Sequence, residues 1–256
     1  MTGPVPGLED ALTRIAGVRS LLVALDFDGV LSPIVAVPSD ARPLARSADA
    51  VRALAAAPDT TVVLVSGRGL ADLGEVSGFA APVRMVGSHG AEYGPGLTDG
   101  TAALLDDERQ ALREKLVLAL TDLVDGEPGV TLERKPAGVA VHVRNAPPEV
   151  GARVLDTVRA GPATWEGVDA TEGKAVIDLA VLQVSKGIAV DALRERFGAD
   201  AVFFAGDDVT DESVFTRLRD GDLGVKVGDG ETAARLRVAT PEEFATVLGS
   251  LAAARR

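Results

Sequence analysis

Two carboxylates spaced i and i+2 end the apolar run Leu22-Val23-Ala24-Leu25-Asp26-Phe27-Asp28-Gly29. In an extended segment the period of two puts Asp26 and Asp28 on one side. Ligands of open α/β sheets bind at the carboxyl ends of strands, which is where this pair would stand. The alternative is an ordinary Asp-Gly turn. A calcium loop is excluded, because Val30 stands where a further ligand is needed. The second group is Gly206-Asp207-Asp208-Val209-Thr210-Asp211-Glu212. Such crowded carboxylates repel one another unless a cation sits among them, although acidic residues also suit a helix N-terminus. Ser66, in Val65-Ser66-Gly67-Arg68, offers a hydroxyl that could cap a helix or meet a ligand. Lys186, in Ser185-Lys186-Gly187, opens a helical pattern at the end that disfavours a cation, which hints at an anion nearby, the alternative being an ordinary surface lysine.

Short apolar runs must position these groups. Leu21–Leu25, Thr61–Val65, Val83–Val86, Ala201–Ala205 and Leu223–Val227 read as buried parallel strands. Helical patterns are expected over Asp49–Ala57, Ile188–Phe197, Gly230–Val238 and Pro241–Ala254, so the core is α/β with a doubly wound parallel sheet. The middle of the chain reads as an α-β-β-α-β-β insert. Its expected elements are a helix over Asp106–Val124, strands over Val130–Arg134 and Val139–Arg144, a helix from Pro147 to Arg159, and strands over Ala163–Glu166 and Ala175–Leu179. Residues 106–183 are therefore expected to form a separate α+β domain within a core made of 1–105 and 184–256.

The chain of 256 residues carries 26 basic and 38 acidic side chains, a net charge of −12. That field repels nucleic acid and anionic membranes, so neither is expected as a partner. An anionic ligand would need a cation or lysines to reverse the field locally. With no cysteine, disulfides, thiolate metal sites and cysteine nucleophiles are excluded. No apolar run is long enough to span a membrane, and Met1–Asp10 does not read as a leader, so a cytoplasmic, monomeric protein is expected. No P-loop is present, and Gly228-Asp229-Gly230 reads as a strand-to-helix turn rather than a dinucleotide fingerprint.

In combination and in this order, Asp26-x-Asp28, Ser66, Lys186 and Gly206-Asp207-Asp208 resemble the haloacid dehalogenase (HAD) phosphatase superfamily. Gly87-Ser88-His89-Gly90-Ala91-Glu92, Leu132-Glu133-Arg134-Lys135, Val139-Ala140-Val141-His142-Val143-Arg144 and Glu172-Gly173-Lys174 narrow the resemblance to the trehalose-6-phosphate phosphatase family. The resemblance implies a HAD-like core with an inserted cap and hydrolysis of a sugar phosphate. Asp26 would be the nucleophile, forming an aspartyl-phosphate, and Asp28 the acid and base. Ser66 and Lys186 would hold phosphoryl oxygens. Mg²⁺ would be held by Asp26, the main-chain carbonyl of Asp28, and Asp207, with Asp208 and Asp211 as further or supporting ligands. Gly67, Arg68, His89 and Glu92 from the core, and Glu133, Lys135, Glu172 and Lys174 from the cap, would bind the substrate. His142 is read as a structural histidine and Trp165 as cap core. The expected substrate is trehalose 6-phosphate. A trehalose-like pseudo-disaccharide phosphate of secondary metabolism, or a catalytically silent sugar-phosphate sensor, are the alternatives.

Overall fold

A computed structural model describes residues 7–97 and 105–255. Residues 1–6, part of the stretch read as lacking a leader, and 98–104, next to the expected entry into the insert, lie outside the described residues. The chain divides into two compact units, Met1–Asp99 with Ser185–Arg256 and Gly100–Val184.

The first unit is built on a seven-stranded sheet. Its strands are β1 (Leu21–Leu25), β2 (Thr60–Val65), β3 (Arg84–Gly87), β4 (Glu92–Tyr93), β9 (Ala201–Gly206), β10 (Leu223–Val227) and β11 (Leu236–Val238), in the order β11-β10-β9-β1-β2-β3-β4. All neighbours are parallel except β3 and β4. Every residue of β1 is buried, because alternate side chains meet different layers. Leu21, Val23 and Leu25 pack with α1 (Leu8–Ala16), α2 (Ala45–Ala56) and α8 (Pro241–Ala254). Leu22 and Ala24 pack with α6 (Lys186–Phe197) and the short α7 (Glu212–Phe215). Helix α3 (Leu70–Ser77) follows β2. The chain leaves β1 towards β2 on one side and returns as β9 on the other. The carboxyl ends of β1, β2 and β9 thus surround a topological switch point, where open sheets bind ligands.

The helix expected over Gly230–Val238 is not formed. Leu236–Val238 is instead an edge strand, with Val225 opposite Leu236 and Val227 opposite Val238. The Arg237 guanidinium bonds the Gly228 and Gly230 carbonyls, and Glu212 accepts from Ala233 N–H, so other partners take the groups a helix would use.

The second unit is α4 (Asp107–Val124), β5 (Thr131–Lys135), β6 (Gly138–His142), α5 (Pro148–Ala160), β7 (Asp169–Gly173) and β8 (Val176–Ala180). The antiparallel order is β5-β6-β8-β7. The α-β-β-α-β-β sequence of elements is present, but its third strand is displaced. Pro162–Thr164 forms a 3-10 turn where Ala163–Glu166 was expected to be a strand. Proline at the head of that turn has no N–H to give a ladder. The strand falls on exposed Asp169–Gly173, an edge with no run of apolar residues to signal it.

Phe204 and Phe215 meet edge to face with centroids 5.3 Å apart, joining β9 to the helix that follows the acidic loop. Phe204→Ala is expected to cost about 3–5 kcal/mol, read from the denaturant midpoint. A loss under about 1 kcal/mol would mean that this layer is not a packed core.

Candidate active site

Parallel pairing continues past β1, since Asp26 N–H donates to the Ala205 carbonyl at 3.0 Å. That carries Asp26 to the strand end with its side chain only 7% exposed. One oxygen, Oδ1, accepts from Phe27 N–H at 2.7 Å, and Oδ2 accepts from Lys186 Nζ at 2.6 Å. Lys186 is the first residue of α6, whose start is capped by Ser185. Its ammonium, 2% exposed, also donates to Asp211 Oδ1 at 2.8 Å. The other oxygen of Asp211 accepts from the N–H groups of Asp207 and Asp208, each at 2.9 Å. Asp211 thus locks the loop after β9 while holding the lysine.

Asp207 extends from β9 over Gly29, where a Cβ would lie 1.9 Å from its Oδ2. The positive φ of Gly29 and this approach both require glycine. Among the described residues nothing donates to the Asp207 carboxylate, whereas its main-chain carbonyl accepts from buried Lys226 on β10. Carboxylate oxygens of Asp26, Asp207 and Asp211 lie within 4.8 Å of one another.

Burial pushes the Asp26 carboxyl up to about 7, with Asp211 adding to the rise and Lys186 opposing it. Burial and the neighbouring Asp211 and Asp208 push Asp207 to about 6 against Lys186 and Lys226. Lys186 is shifted upward by the same two aspartates that it bonds, against its own burial. The cluster holds more negative charge than its lysines balance. An all-oxygen, carboxylate-rich donor set with an unpartnered Asp207 fits a hard divalent cation such as Mg²⁺. Asp208, expected beside it as a ligand, is exposed and uses its side chain to cap Val209 N–H at 2.7 Å. The carboxylate brought into the cluster is Asp211.

Asp28 faces the guanidinium of Arg68, with Nε to Oδ2 at 2.6 Å and Nη2 to Oδ1 at 2.8 Å. Ser66 follows β2 and its Oγ accepts from Arg68 N–H at 3.3 Å. The helix begins only at Leu70, so Ser66 is not its cap. His89 and Ser88 both have positive φ, an arrangement that costs of order 1 kcal/mol or more and needs support. Glu92 supplies it by accepting from Ser88 Oγ at 2.6 Å and Leu70 N–H at 2.9 Å. The His89 ring lies against Gly67, where a Cβ would fall 2.5 Å from Cε1. Asp26, Asp28, Ser66, Gly67, Arg68, His89, Lys186, Asp207 and Asp208 line one cavity of about 610 Å³, and Glu92 stands behind it. Lys226 and Asp72 were not anticipated. The available signal for Lys226 was a lone lysine within the apolar run Leu223–Val227.

In the second unit, strand register separates the four expected cap residues. Glu133 and Lys135 alternate with Leu132 and so lie on the open face, bonded to His142 at 2.9 Å and to Asp178 respectively. Glu172 is opposite Ile177, on the face that packs against the helices, and pairs with Arg159 of α5 at 2.7 and 3.0 Å. Lys174 is exposed in the β7–β8 turn. His142 has its partner in Glu133 but stands partly exposed on the open face. Trp165 packs against the core of this unit beneath Lys115, whose Nζ is 4.2 Å from the ring centroid.

The trehalose-phosphatase family model matches residues 24–241. The chain is 34% identical over 227 residues to a bifunctional trehalose-6-phosphate synthase/phosphatase of Thermoproteus tenax, covering 87% of this chain and 30% of that one. It is 34% identical over 263 residues to a trehalose-phosphate phosphatase of Mycobacterium marinum, covering 96% and 66%. It thus spans less than two thirds of the length of these relatives. The trehalose-6-phosphate phosphatase structure from Aspergillus fumigatus superposes with a TM-score of 0.76 at 26% identity, covering 98% of this chain and 99% of that one. A matched region that includes the whole acidic cavity, together with this fold, places the chain in the trehalose-phosphatase family.

Proposed function

We propose that this chain hydrolyses trehalose 6-phosphate, or a closely similar disaccharide phosphate, through a phosphorylated Asp26. The observation that carries this reading is the buried Asp26 carboxylate held by Lys186 in the lining of a cavity shared with Asp28, Ser66 and Asp207. Uncatalysed phosphate-monoester hydrolysis is among the slowest reactions known, so positioning and charge neutralisation must do most of the work. An Asp26 oxygen bonds to phosphorus while the bond to the sugar oxygen breaks, and Asp28 gives that oxygen its proton. Water then attacks phosphorus, its proton passes to Asp28, and Asp26 is released as carboxylate. Ser66 and Lys186 hold phosphoryl oxygens through both steps. Asp26, Asp207 and the main-chain carbonyl of Asp28 would hold Mg²⁺, with Asp211 behind them. The ion, when bound, supplies neutralisation of the transferring group's charge. In the second unit, sugar hydroxyls are assigned to Glu133 and Lys135 on the open sheet face and to Lys174 in the β7–β8 turn, while a role for Glu172 would require it to leave Arg159. In the first unit, His89 is assigned to the substrate, with Glu92 fixing its turn.

Phosphate release from trehalose 6-phosphate, glucose 6-phosphate, sucrose 6-phosphate and a pseudo-disaccharide phosphate tests the substrate. Preference for trehalose 6-phosphate, lost in EDTA, is expected. Binding without turnover across the panel would make the chain a sensor instead. Asp26→Asn should lower kcat by roughly 10⁴-fold or more while the fold persists, and retained turnover would remove Asp26 from the chemistry. Lys135→Ala should raise KM for the disaccharide phosphate about tenfold, the loss of one charged hydrogen bond. An unchanged KM would discard that contact.

The metal site has a test that needs no turnover. Asp26 and Asp207 have folded values near 7 and 6 against an ordinary 3.8, so the folded state binds more protons between these limits. Their contribution in EDTA therefore becomes more destabilising as pH rises from about 4 to about 7. A cation that binds the ionised cluster offsets this, so Mg²⁺ should raise Tm more at neutral pH than near pH 5. Asp207→Asn should abolish the Mg²⁺ response; an equal Mg²⁺ shift in that variant would place the ion elsewhere.

A further inference from the structure

Arg68 was expected to bind substrate, yet its hydrogen bonds are already committed. Nε and Nη2 grip both oxygens of Asp28, Nη2 also reaches the Pro38 carbonyl at 2.9 Å, and Nη1 bonds Asp72 Oδ2 at 2.8 Å. Four of the five N–H donors of the guanidinium are thereby used. The side chain is 10% exposed, and its guanidinium carbon lies 5.8 Å from the Phe27 ring centroid. Asp72 and Pro38 anchor the fork independently of Asp28, which itself is one third exposed and lines the cavity. Each Asp28 oxygen still has a lone pair beyond the one that Arg68 occupies.

We propose that Arg68 is a positioning residue for Asp28, aiming its carboxyl at the leaving sugar oxygen and stabilising the carboxylate formed there, and is not a phosphate ligand. The inference rests on the phosphatase reading above. In that step an Asp26 oxygen bonds to phosphorus, and the electron pair of the breaking P–O bond goes to the sugar oxygen. That oxygen takes the proton of Asp28. The negative charge left on Asp28 is met by a fork already in place, and two-point pairing with arginine strengthens as the acceptor becomes ionised. Help of this kind matters when the leaving group is a basic alkoxide and little when it is a stable aryloxide.

The test compares kcat/KM, which reads the step in which the leaving group departs, for trehalose 6-phosphate and p-nitrophenyl phosphate in Arg68→Ala and Arg68→Lys. Both variants are used with Mg²⁺ and with folding checked by thermal melting. The expected result is a loss of about 10- to 100-fold on the sugar phosphate in Arg68→Ala, with the aryl phosphate nearly unaffected. The inhibition constant of inorganic phosphate should not move, and added guanidinium ion should restore part of the loss. Arg68→Lys, which keeps the charge without the fork, should fall between. Equal losses on both substrates, or weakened inhibition by inorganic phosphate, would overturn the proposal and point to phosphate binding by Arg68. A wild-type chain that releases phosphate from neither substrate would overturn the phosphatase reading itself.

Discussion

The ammonium of Lys186 between Asp26 and Asp211 is the contact on which the functional geometry depends. Charges withdrawn from water are costly unless each is closely paired and its remaining valences are filled. Here the lysine donates to both carboxylates, and those carboxylates take three main-chain N–H groups between them. The pair joins the end of β1, the start of α6 and the loop after β9, three segments far apart in the chain. Breaking it would leave buried charge on each, so the elements are held in one arrangement. The balance is still incomplete, because among the described residues nothing donates to the Asp207 carboxylate. That deficit leaves a carboxylate-rich set of oxygens that could hold a cation.

Two levels of positioning surround this cluster. Asp26, Asp207 and Lys186 face the cavity directly. Asp211, Arg68 and Glu92 act through others: Asp211 fixes Lys186 and two amides, Arg68 fixes Asp28, and Glu92 fixes the strained turn that carries His89. Side chains that orient reactive groups need rigid anchorage of their own. Each of the three has it through two or more hydrogen bonds. The arginine is the most committed, which is why its contacts argue for orientation rather than ligand capture.

The second unit shows how pairing register limits what a string of polar residues can do together. Glu133, Lys135 and Glu172 look alike in the sequence as chargeable residues within short strands. The ladder puts the first two on the open face with His142 and Asp178, and turns Glu172 to the helix side with Arg159. A shift of one residue reverses every side chain of a strand. A common sugar-binding role for all four therefore requires more than their presence, and the KM of single variants resolves it.

Local sequence determined much of this protein. Buried parallel strands announce themselves as short apolar runs, so the five core strands, the long helices and the order of elements in the insert were legible. So were Asp26, Asp28, Ser66, Lys186 and Asp207, because each stands at the end of such a run or opens the next helix. The short edge strands Leu236–Val238 and Asp169–Gly173 were not. One carries too few residues for a period, and the other has Ala170 as its only apolar side chain besides a glycine, so only pairing with a neighbour defines them. The choice of Asp211 over Asp208, the engagement of Asp28 with Arg68 and the buried position of Lys226 also needed the tertiary structure. Sequence states which charges a loop contains, but desolvation and the partners brought from distant strands decide which of them face one another.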